Sequence, residues 1–243
     1  MFFLLFLAGI LAGIVGYLVG LASLVSYPVL IAIGIPPVLA NTSNTVGLLG
    51  AGLGSIASAW RRITAIDVYP FAPQAIVGLL GGVTGGVLLL IAEPEVFEAI
   101  VPWLVLLATV LVILSPRING RMTKRQIPFL AFLIIFLAIA IYGGYFGAGS
   151  GVLFFALCML CTPMSAHEAV LMKTPLMFLA NLGASIIFIA RGEVDWVVAL
   201  SVGVGTFVGG YLGPKVQRWI SETVMRWMVI VGGFVMTVWL LLR

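Results

Sequence analysis

Residues 143–151 read GGYFGAGSG and interrupt an apolar run that extends from residue 127 to residue 162. Residues 16–28 read GYLVGLASLVSYP and interrupt a similar run from residue 2 to residue 34. Glycine and proline are poor residues for a helix interior. Unwound backbone at membrane depth is tolerated only where protein or a watery cavity surrounds it. The two stretches therefore predict two helices broken by Gly, Ser and Pro beside a buried site.

The second half of the chain is a loose copy of the first half. Short motifs recur at offsets of 128, 126, about 129 and 124 residues, roughly half of the 243 residues. In order, the matched pairs are Gly16-Tyr17 with Gly144-Tyr145, Pro37–Asn41 with Pro163–His167, Arg62…Asp67 with Arg191…Asp195, and Gly81…Gly86 with Gly205…Gly210. Many secondary transporters are built from duplicated blocks of membrane spans, with the substrate site between the halves. Transport is therefore the first functional hypothesis.

The composition places this chain in a lipid bilayer. Hydrophobic residues make up 63% and charged residues 8%, whereas about a quarter of the residues of a soluble domain are charged. The formal net charge of +4 does not indicate nucleic-acid binding, because Lys and Arg lie in the short loops between apolar blocks. That placement is the orientation signal of a membrane protein. The sequence therefore predicts an all-α polytopic membrane protein whose partner is the lipid bilayer.

The apolar blocks leave two topologies open. Eight blocks are visible, at 2–34, 38–60, 69–92, 97–115, 127–162, 168–190, 195–214 and 223–242. Six fit a single crossing of about 20 residues, but a helix as long as either first block would reach about 50 Å. The sequence favours four spans per half with a broken first element, and the alternative is five spans per half in inverted orientation. The predicted repeats cover residues 1–116 and 127–243 and are joined by a basic loop at 117–126.

Residues 41–45, which read NTSNT, form a polar run near the start of the second block and are the main uncharged candidate for a binding site. Ser, Thr and Asn at this place can cap a helix, and the same geometry directs free backbone N–H groups and the positive end of the helix dipole into the protein. Capping and anion binding are both open. With the hydroxyls and backbone of the two interruptions, the candidate substrate-binding residues are Ser23, Asn41, Thr42, Ser43, Asn44, Thr45, Gly149, Ser150 and Gly151.

Lys173 and His167 complete the candidate site. Lys173 lies five residues inside the sixth block, and a charge within a span usually faces a cavity or a partner; the alternative is that its long stem reaches the interface. His167, the sole histidine, matches Asn41 in the repeat, so binding and a simple interfacial position are both open. Hydroxyls, amides and one lysine favour a small anion, because no Asp or Glu falls mid-span to coordinate a metal ion.

Enzymatic chemistry has little support in the sequence. The two cysteines, Cys158 and Cys161, share one apolar run and have no second pair with which to form a metal site. Arrangements such as H-E-x-x-H, G-x-S-x-G and the nucleotide-binding P-loop do not occur. We expect neither a cofactor nor a metal. An intramembrane enzyme that uses His167 and the cysteines, and a membrane scaffold without transport activity, are the rival interpretations.

With these motifs assembled, the chain resembles the TauE/SafE (sulfite exporter, TSUP) family of membrane permeases. The resemblance rests on the glycine-rich break at 147–151, the Pro-x-x-Ala pairs at Pro37 and Pro163, Thr42-Ser43, and the Arg…Asp loops. It implies a multi-pass carrier of the bacterial or archaeal inner membrane for sulfur-containing anions such as sulfite and sulfonates. We expect export or facilitated diffusion, with an ion-coupled importer as the alternative. The sequence does not distinguish a monomer from a homodimer.

Overall fold

The chain folds into ten α-helices within the part that the structure, a computed structural model, describes: residues 2–120, 126–216 and 222–242. Residues 121–125 of the predicted basic loop lie outside the described part. The helices are α1 (Phe2–Val19), α2 (Ala22–Ala32), α3 (Pro37–Ile63), α4 (Phe71–Ile91), α5 (Pro94–Gly120), α6 (Phe129–Tyr145), α7 (Ser150–Cys161), α8 (Ala166–Ala190), α9 (Trp196–Val216) and α10 (Glu222–Leu242). The all-helical fold predicted from the sequence is confirmed.

The first apolar block of each half contains two helices rather than one. The chain leaves the helical path between α1 and α2 at Gly20, whose φ is +83°, and between α6 and α7 at Gly147 and Gly149, with φ of +80° and +83°. Only glycine adopts these left-handed angles without strain. The two breaks also meet, because a Cβ at Gly20 would lie 2.8 Å from the carbonyl carbon of Gly151. Glycine is thus required here both for conformation and for close approach.

Helices α1, α3 and α9 form one group of parallel helices held by backbone contact at glycines. Along α9, Gly205 contacts α1 near Gly9 and Gly209 contacts it near Gly13, so both helices run in the same direction. Helix α3 runs in the same direction along a neighbouring face of α9, where Gly54 packs on the backbone at Tyr211. Small residues at helix interfaces let backbones approach closely, which is the main source of packing energy within lipid.

Helices α4, α6 and α8 form a second parallel group of the same construction. Gly81 and Gly85 of α4 pack on α6, while Gly82 packs on Ala180 of α8 and Gly86 on Ala184. The two groups meet where α3 and α8 cross in antiparallel directions. Gly52 lies against the ring of Phe178, and the end of α3 clusters with the beginning of α8 around Leu171. This crossing holds the two helix breaks beside it.

Four of the described helices are long and apolar enough to cross a membrane by length and composition: Phe2–Val19, Phe71–Ile91, His167–Ala190 and Trp196–Val216. Three further apolar helices, α2, α6 and α7, are shorter. Large apolar side chains such as Leu80, Ile134 and Leu200 are exposed on the outside of the bundle. An apolar exterior of this kind is what a bilayer requires and what a soluble protein avoids.

Candidate functional site

A cavity of about 80 Å³ lies at the junction of the two helix breaks. Its lining residues come from both breaks and from the crossing helices α3 and α8: Gly16, Tyr17, Gly20, Ala22, Ser23, Leu48, Ala51, Gly52, Ser55, Gly147, Ser150, Gly151, Lys173, Thr174, Met177, Phe178 and Asn181. Both halves of the chain therefore contribute to one cavity.

The N-termini of α2 and α7 face this cavity. Ser23 and Ser150 lie in the first turn of their helices, and Gly147 lies next to Ser23, with 3.7 Å from an ideal Cβ to Ser23 Oγ. The first backbone N–H groups of a helix have no acceptor within the helix, and its N-terminus carries a partial positive charge. Two helix ends therefore direct partial positive charge at one cavity, the arrangement that binds anions at single helix N-termini.

Lys173 supplies the cationic side chain of the cavity. It lies in the second turn of α8, and only 4% of its surface is exposed. Its Nζ donates hydrogen bonds to the carbonyl oxygens of Gly16 and Tyr17, at 3.1 and 2.7 Å. These carbonyls belong to the last turn of α1, where the helix dipole is negative. The ammonium group therefore closes the end of a helix from the other half of the chain, at the wall of the cavity.

A capping box fixes the start of α8 and thereby the depth of Lys173. Ser165 Oγ accepts a hydrogen bond from the Glu168 N–H at 3.3 Å, and the Glu168 carboxylate accepts one from the Ser165 N–H at 2.7 Å. This reciprocal pattern starts helices reliably. His167 lies in the same first turn and is exposed, outside the cavity lining.

Sequence reasoning did not single out the cavity's remaining polar residues. Ser55 donates from Oγ to the carbonyl oxygen of Gly210 at 3.1 Å, and Thr174 donates to that of Val170 at 3.3 Å. Asn181 lies two turns beyond Lys173 on the same face of α8. The sequence feature that could have indicated them is the spacing of small and polar residues along α3 and α8, because helix positions three or four apart share one face.

The polar run 41–45 does not cap a helix or lie at a helix N-terminus as expected, because α3 begins at Pro37 without a side-chain cap. The run is buried within α3 and does not line the cavity. Asn41 donates from Nδ2 to the carbonyl oxygen of Tyr145 at 2.9 Å, and Ser43 Oγ accepts from the Asp195 N–H at 2.8 Å. The hydroxyl of Thr42 donates to the Leu39 carbonyl and that of Thr45 to the Asn41 carbonyl. Gly149, the N-cap of α7, adjoins the cavity-lining Ser150.

The side chain of one residue in the run 41–45 makes no hydrogen bond within the described part of the chain. Neither side-chain atom of Asn44, Oδ1 or Nδ2, is paired within the described residues, and only 1% of the residue is exposed. A buried carboxamide left unpaired costs about 1–3 kcal/mol per group. No group of three or more His, Cys, Asp or Glu side chains in the described part of the chain is arranged to hold a metal ion.

Comparison with known proteins identifies the family of this chain. The family model described as Sulfite exporter TauE/SafE matches residues 5–240. A "Probable membrane transporter protein" of Haemophilus influenzae is 25% identical over 235 residues, 96% of this chain and 92% of that one. Similar proteins from Sinorhizobium sp. and Escherichia coli K12, the latter called YfcA, are each 26% identical over 98% of this chain, covering 91% and 88% of their own lengths. This chain belongs to the TauE/SafE family of membrane transporters.

Proposed function

We propose that this protein is a secondary transporter of small sulfur-containing anions, such as sulfite or organosulfonates. The observation that carries the proposal is the cavity in which two helix N-termini meet beside the buried Lys173. Hydrogen-bond donors and positive dipole ends at membrane depth suit an oxoanion, and the described lining contains no carboxylate to repel one. Discontinuous helices whose N-termini face an anionic substrate group are a recurring device of secondary transporters.

The size of the cavity favours a compact substrate. A buried water needs about 10–15 Å³ of the same kind of volume, so 80 Å³ holds roughly five to eight waters. An anion with up to about eight heavy atoms fits this space, which includes sulfite and small sulfonates. Longer organic acids would require the cavity to widen.

The helix packing supports an arrangement of two inverted repeats, α1–α5 and α6–α10. A rotation that exchanges α1 with α6, α3 with α8 and α4 with α9 converts the parallel group α1, α3, α9 into the parallel group α6, α8, α4. It also maps the antiparallel crossing of α3 and α8 onto itself. A pseudo-two-fold axis through the contact of Gly52 with Phe178, which are equivalent at the repeat offset of 126 residues, accounts for both relations. The cavity then lies at the repeat interface, where alternating access places a substrate site.

The orientation we infer places the ends of α3 and α5 in the cytoplasm of a bacterial or archaeal cell. Five helices per half put nine of the eleven loop and terminal Lys and Arg residues, Lys173 excluded, on that side. The cavity residues Leu48 and Ser55 lie on either side of residue 50, the middle of α3, so in this orientation the cavity is close to the middle of the bilayer.

The direction of transport depends on whether a second ion moves with the anion. A potential of 100 mV, negative inside, is worth about 2.3 kcal/mol per charge. Uncoupled movement of a monoanion would therefore be outward, and could sustain roughly a fifty-fold outside-to-inside concentration ratio. Coupling to an inward cation would remove or reverse this preference.

The rival enzyme hypothesis has less support from the geometry. It required His167 to act with Cys158 and Cys161. His167 is exposed at the beginning of α8, whereas Cys158 is fully buried near the end of α7. None of the three belongs to the cavity lining. Alanine at all three positions should leave anion transport intact.

The proposal is tested first by ligand-induced stabilisation. A ligand that binds only the folded state raises the melting temperature. We expect sulfite or a small sulfonate to raise it in detergent at constant ionic strength and constant cation. Citrate, as a large anion, should not. A screen in which sulfite, thiosulfate, sulfoacetate, taurine and sulfate all leave the melting temperature unchanged would contradict the proposed substrate class.

A pair of threonines provides the matched control for this screen. Thr174 and Thr84 both donate to the carbonyl oxygen four residues earlier, but Thr174 lines the cavity and Thr84 is exposed on α4. Thr174→Leu fills the cavity and should abolish the anion-induced shift, whereas Thr84→Leu should retain it. Equal shifts in both variants would place the anion elsewhere.

A further inference from the structure

The two broken helices end in the same way but with different chemistry. Helix α1 ends at carbonyl oxygens that accept from the ammonium group of Lys173, one of them the Tyr17 oxygen at 2.7 Å. Helix α6 ends at Tyr145, the repeat counterpart of Tyr17, and the Tyr145 oxygen accepts from the neutral carboxamide of Asn41 at 2.9 Å. In each case the donor comes from the crossing helix of the other half, α8 or α3. One helix end holds a positive charge and its counterpart holds none.

Carboxamide oxygens of α3 without a hydrogen-bond partner lie near the end of α6. Asn41 Oδ1 has no hydrogen-bond partner within the described residues. It is about 2.3 Å from the Nδ2 of the same carboxamide, so it lies no more than about 5 Å from the Tyr145 oxygen. Asn44, one turn later on the same face of α3, adds an unpaired Oδ1. Both residues are 1% exposed, so bulk water does not compensate these atoms.

The unpaired groups continue the two faces that line the cavity. On α3, Asn41 and Asn44 share a face with the cavity residues Leu48 and Ser55, at helical spacings of three and four. On α8, Ser185 lies one turn beyond the cavity residue Asn181, and its hydroxyl is also unpaired. The antiparallel crossing at Gly52 and Phe178 brings Asn44 and Ser185 to the same level. A second polar position therefore lies beyond the cavity, near the end of α6.

We propose that the end of α6, with the carboxamide oxygens of Asn41 and Asn44, binds a monovalent cation of the size of Na⁺, beside the Asn41 amide nitrogen that takes the place of the Lys173 ammonium group. This inference rests on the proposed transport function and extends it to a coupling ion. Carbonyl oxygens at the C-terminal end of a discontinuous helix are typical ligands of a coupling Na⁺. The neutral oxygens favour one charge over two, because divalent ions are usually held by carboxylates.

The surrounding charges favour access by a cation. The ring of Phe97 packs on that of Tyr145, with ring centroids 5.9 Å apart. Phe97 lies in the first turn of α5 among the exposed carboxylates of Glu93, Glu95 and Glu98. The end of α6 is therefore approached from an acidic surface. The α1 end, in contrast, already contains a fixed ammonium group and needs no ion.

An occupied cation site would change the energetics of transport. One Na⁺ with one monoanion gives a loaded protein without additional net charge, so the membrane potential no longer drives the loaded step. An inward Na⁺ gradient would then favour uptake of the anion. A coupled importer needs a binding site for its coupling ion. The end of α6 provides one from neutral oxygen atoms, although no Asp or Glu falls mid-span.

The test is cation binding without any substrate anion. Purified full-length protein is melted in choline chloride with increasing NaCl at constant total chloride. We expect Na⁺ to raise the melting temperature by about 3 °C or more at saturation, and K⁺ to raise it less. No difference between NaCl and choline chloride would mean that water alone satisfies these oxygens, and would overturn the proposal. The anion screen is a separate experiment, so either result can fail without the other.

Two substitutions locate the ion. Asn44→Leu removes the site at similar volume and should abolish the Na⁺ shift. Gln74→Met is the matched control, because Gln74 is also a fully buried carboxamide with an unpaired oxygen, but its Nε2 donates to the carbonyl oxygens of Tyr69 and Pro70 at the beginning of α4. A Na⁺ shift that survives in Asn44→Leu would overturn the assignment.

A second variant, expected to bind Na⁺ more tightly, tests the proposal if Asn44→Leu does not fold. Asn44→Asp places a carboxylate beside the same oxygens and should tighten Na⁺ binding about tenfold, measured by titrating the melting temperature or by binding of radioactive Na⁺. A purely structural role for Asn44 predicts destabilisation with unchanged Na⁺ affinity, and that result would contradict the proposal.

Discussion

Lys173→Gln is expected to fold like the parent and to lose at least tenfold in transport at low anion concentration. The carboxamide of glutamine donates hydrogen bonds as the ammonium group does, so it can still cap the carbonyls of Gly16 and Tyr17. Asn41 shows that a neutral amide suffices for this purpose at the end of α6. The charge is lost, and the side chain becomes one bond shorter. A tenfold loss corresponds to about 1.4 kcal/mol, a modest effect for one charge in a partly desolvated cavity.

Two further substitutions separate charge from hydrogen bonding. Lys173→Met removes both, so anion transport should fall as in Lys173→Gln, while the unpaired end of α1 should also lower the unfolding free energy by about 1–3 kcal/mol. Lys173→Arg keeps the charge in a broader, planar group, and should give partial activity.

Lys215→Met is the matched control for the loss of one positive charge. Lys215 is exposed at the end of α9, with its Nζ 4.7 Å from the ring centroid of Tyr211. Initial rates of sulfite or sulfonate flux into proteoliposomes are measured at equal protein content. Parent-like flux in Lys173→Gln at low substrate would reduce Lys173 to a structural cap and leave the site to the helix N-termini and hydroxyls.

The helical fold and the sites of its interruptions were accessible from the sequence because their causes are local. Low charge content and long apolar runs predict membrane helices whatever their neighbours. The φ values of Gly20 and Gly149 are properties of single residues. Lys173 was also selected by a local criterion, since a charge inside an apolar block needs a partner.

The composition of the site was less accessible because it depends on how distant helices pair. Ser55 and Asn181 reach the cavity through the rotation of α3 and α8, which is set by contacts such as that of Gly52 with Phe178. Asn41 was a substrate candidate, but it contacts the end of α6, 104 residues away in sequence. Its repeat match was His167, whereas the residue in the equivalent capping role is Lys173. Alignment of the two halves therefore indicated the beginning of α8, but the capping residue lies six residues further along that helix.

The glycines of α9 offer the largest expected effect on folding, and Gly205→Ala should show it. A Cβ on Gly205 would overlap the carbonyl oxygen of Phe6 and lie 3.0 Å from the Cα of Gly9. Both obstacles are backbone of α1, which cannot rotate away as a side chain can, so α1 and α9 must separate. Overpacking typically costs about 1–3 kcal/mol, equivalent to a fall of roughly 3–10 °C in melting temperature for a chain of this size.

Gly203→Ala is the internal control, two residues earlier on the same helix. A Cβ there would meet nothing closer than the carbonyl oxygen of Gly47 at 3.6 Å, an ordinary contact. Alanine is the better helix former by up to about 1 kcal/mol, so this variant should melt at the parent temperature or slightly above it. Melting in detergent and the yield of monodisperse protein measure both. If Gly205→Ala and Gly203→Ala melted alike, close backbone packing of α1 on α9 would not be what stabilises this half of the protein. The placement of the α1 end beside Lys173 would then need another explanation.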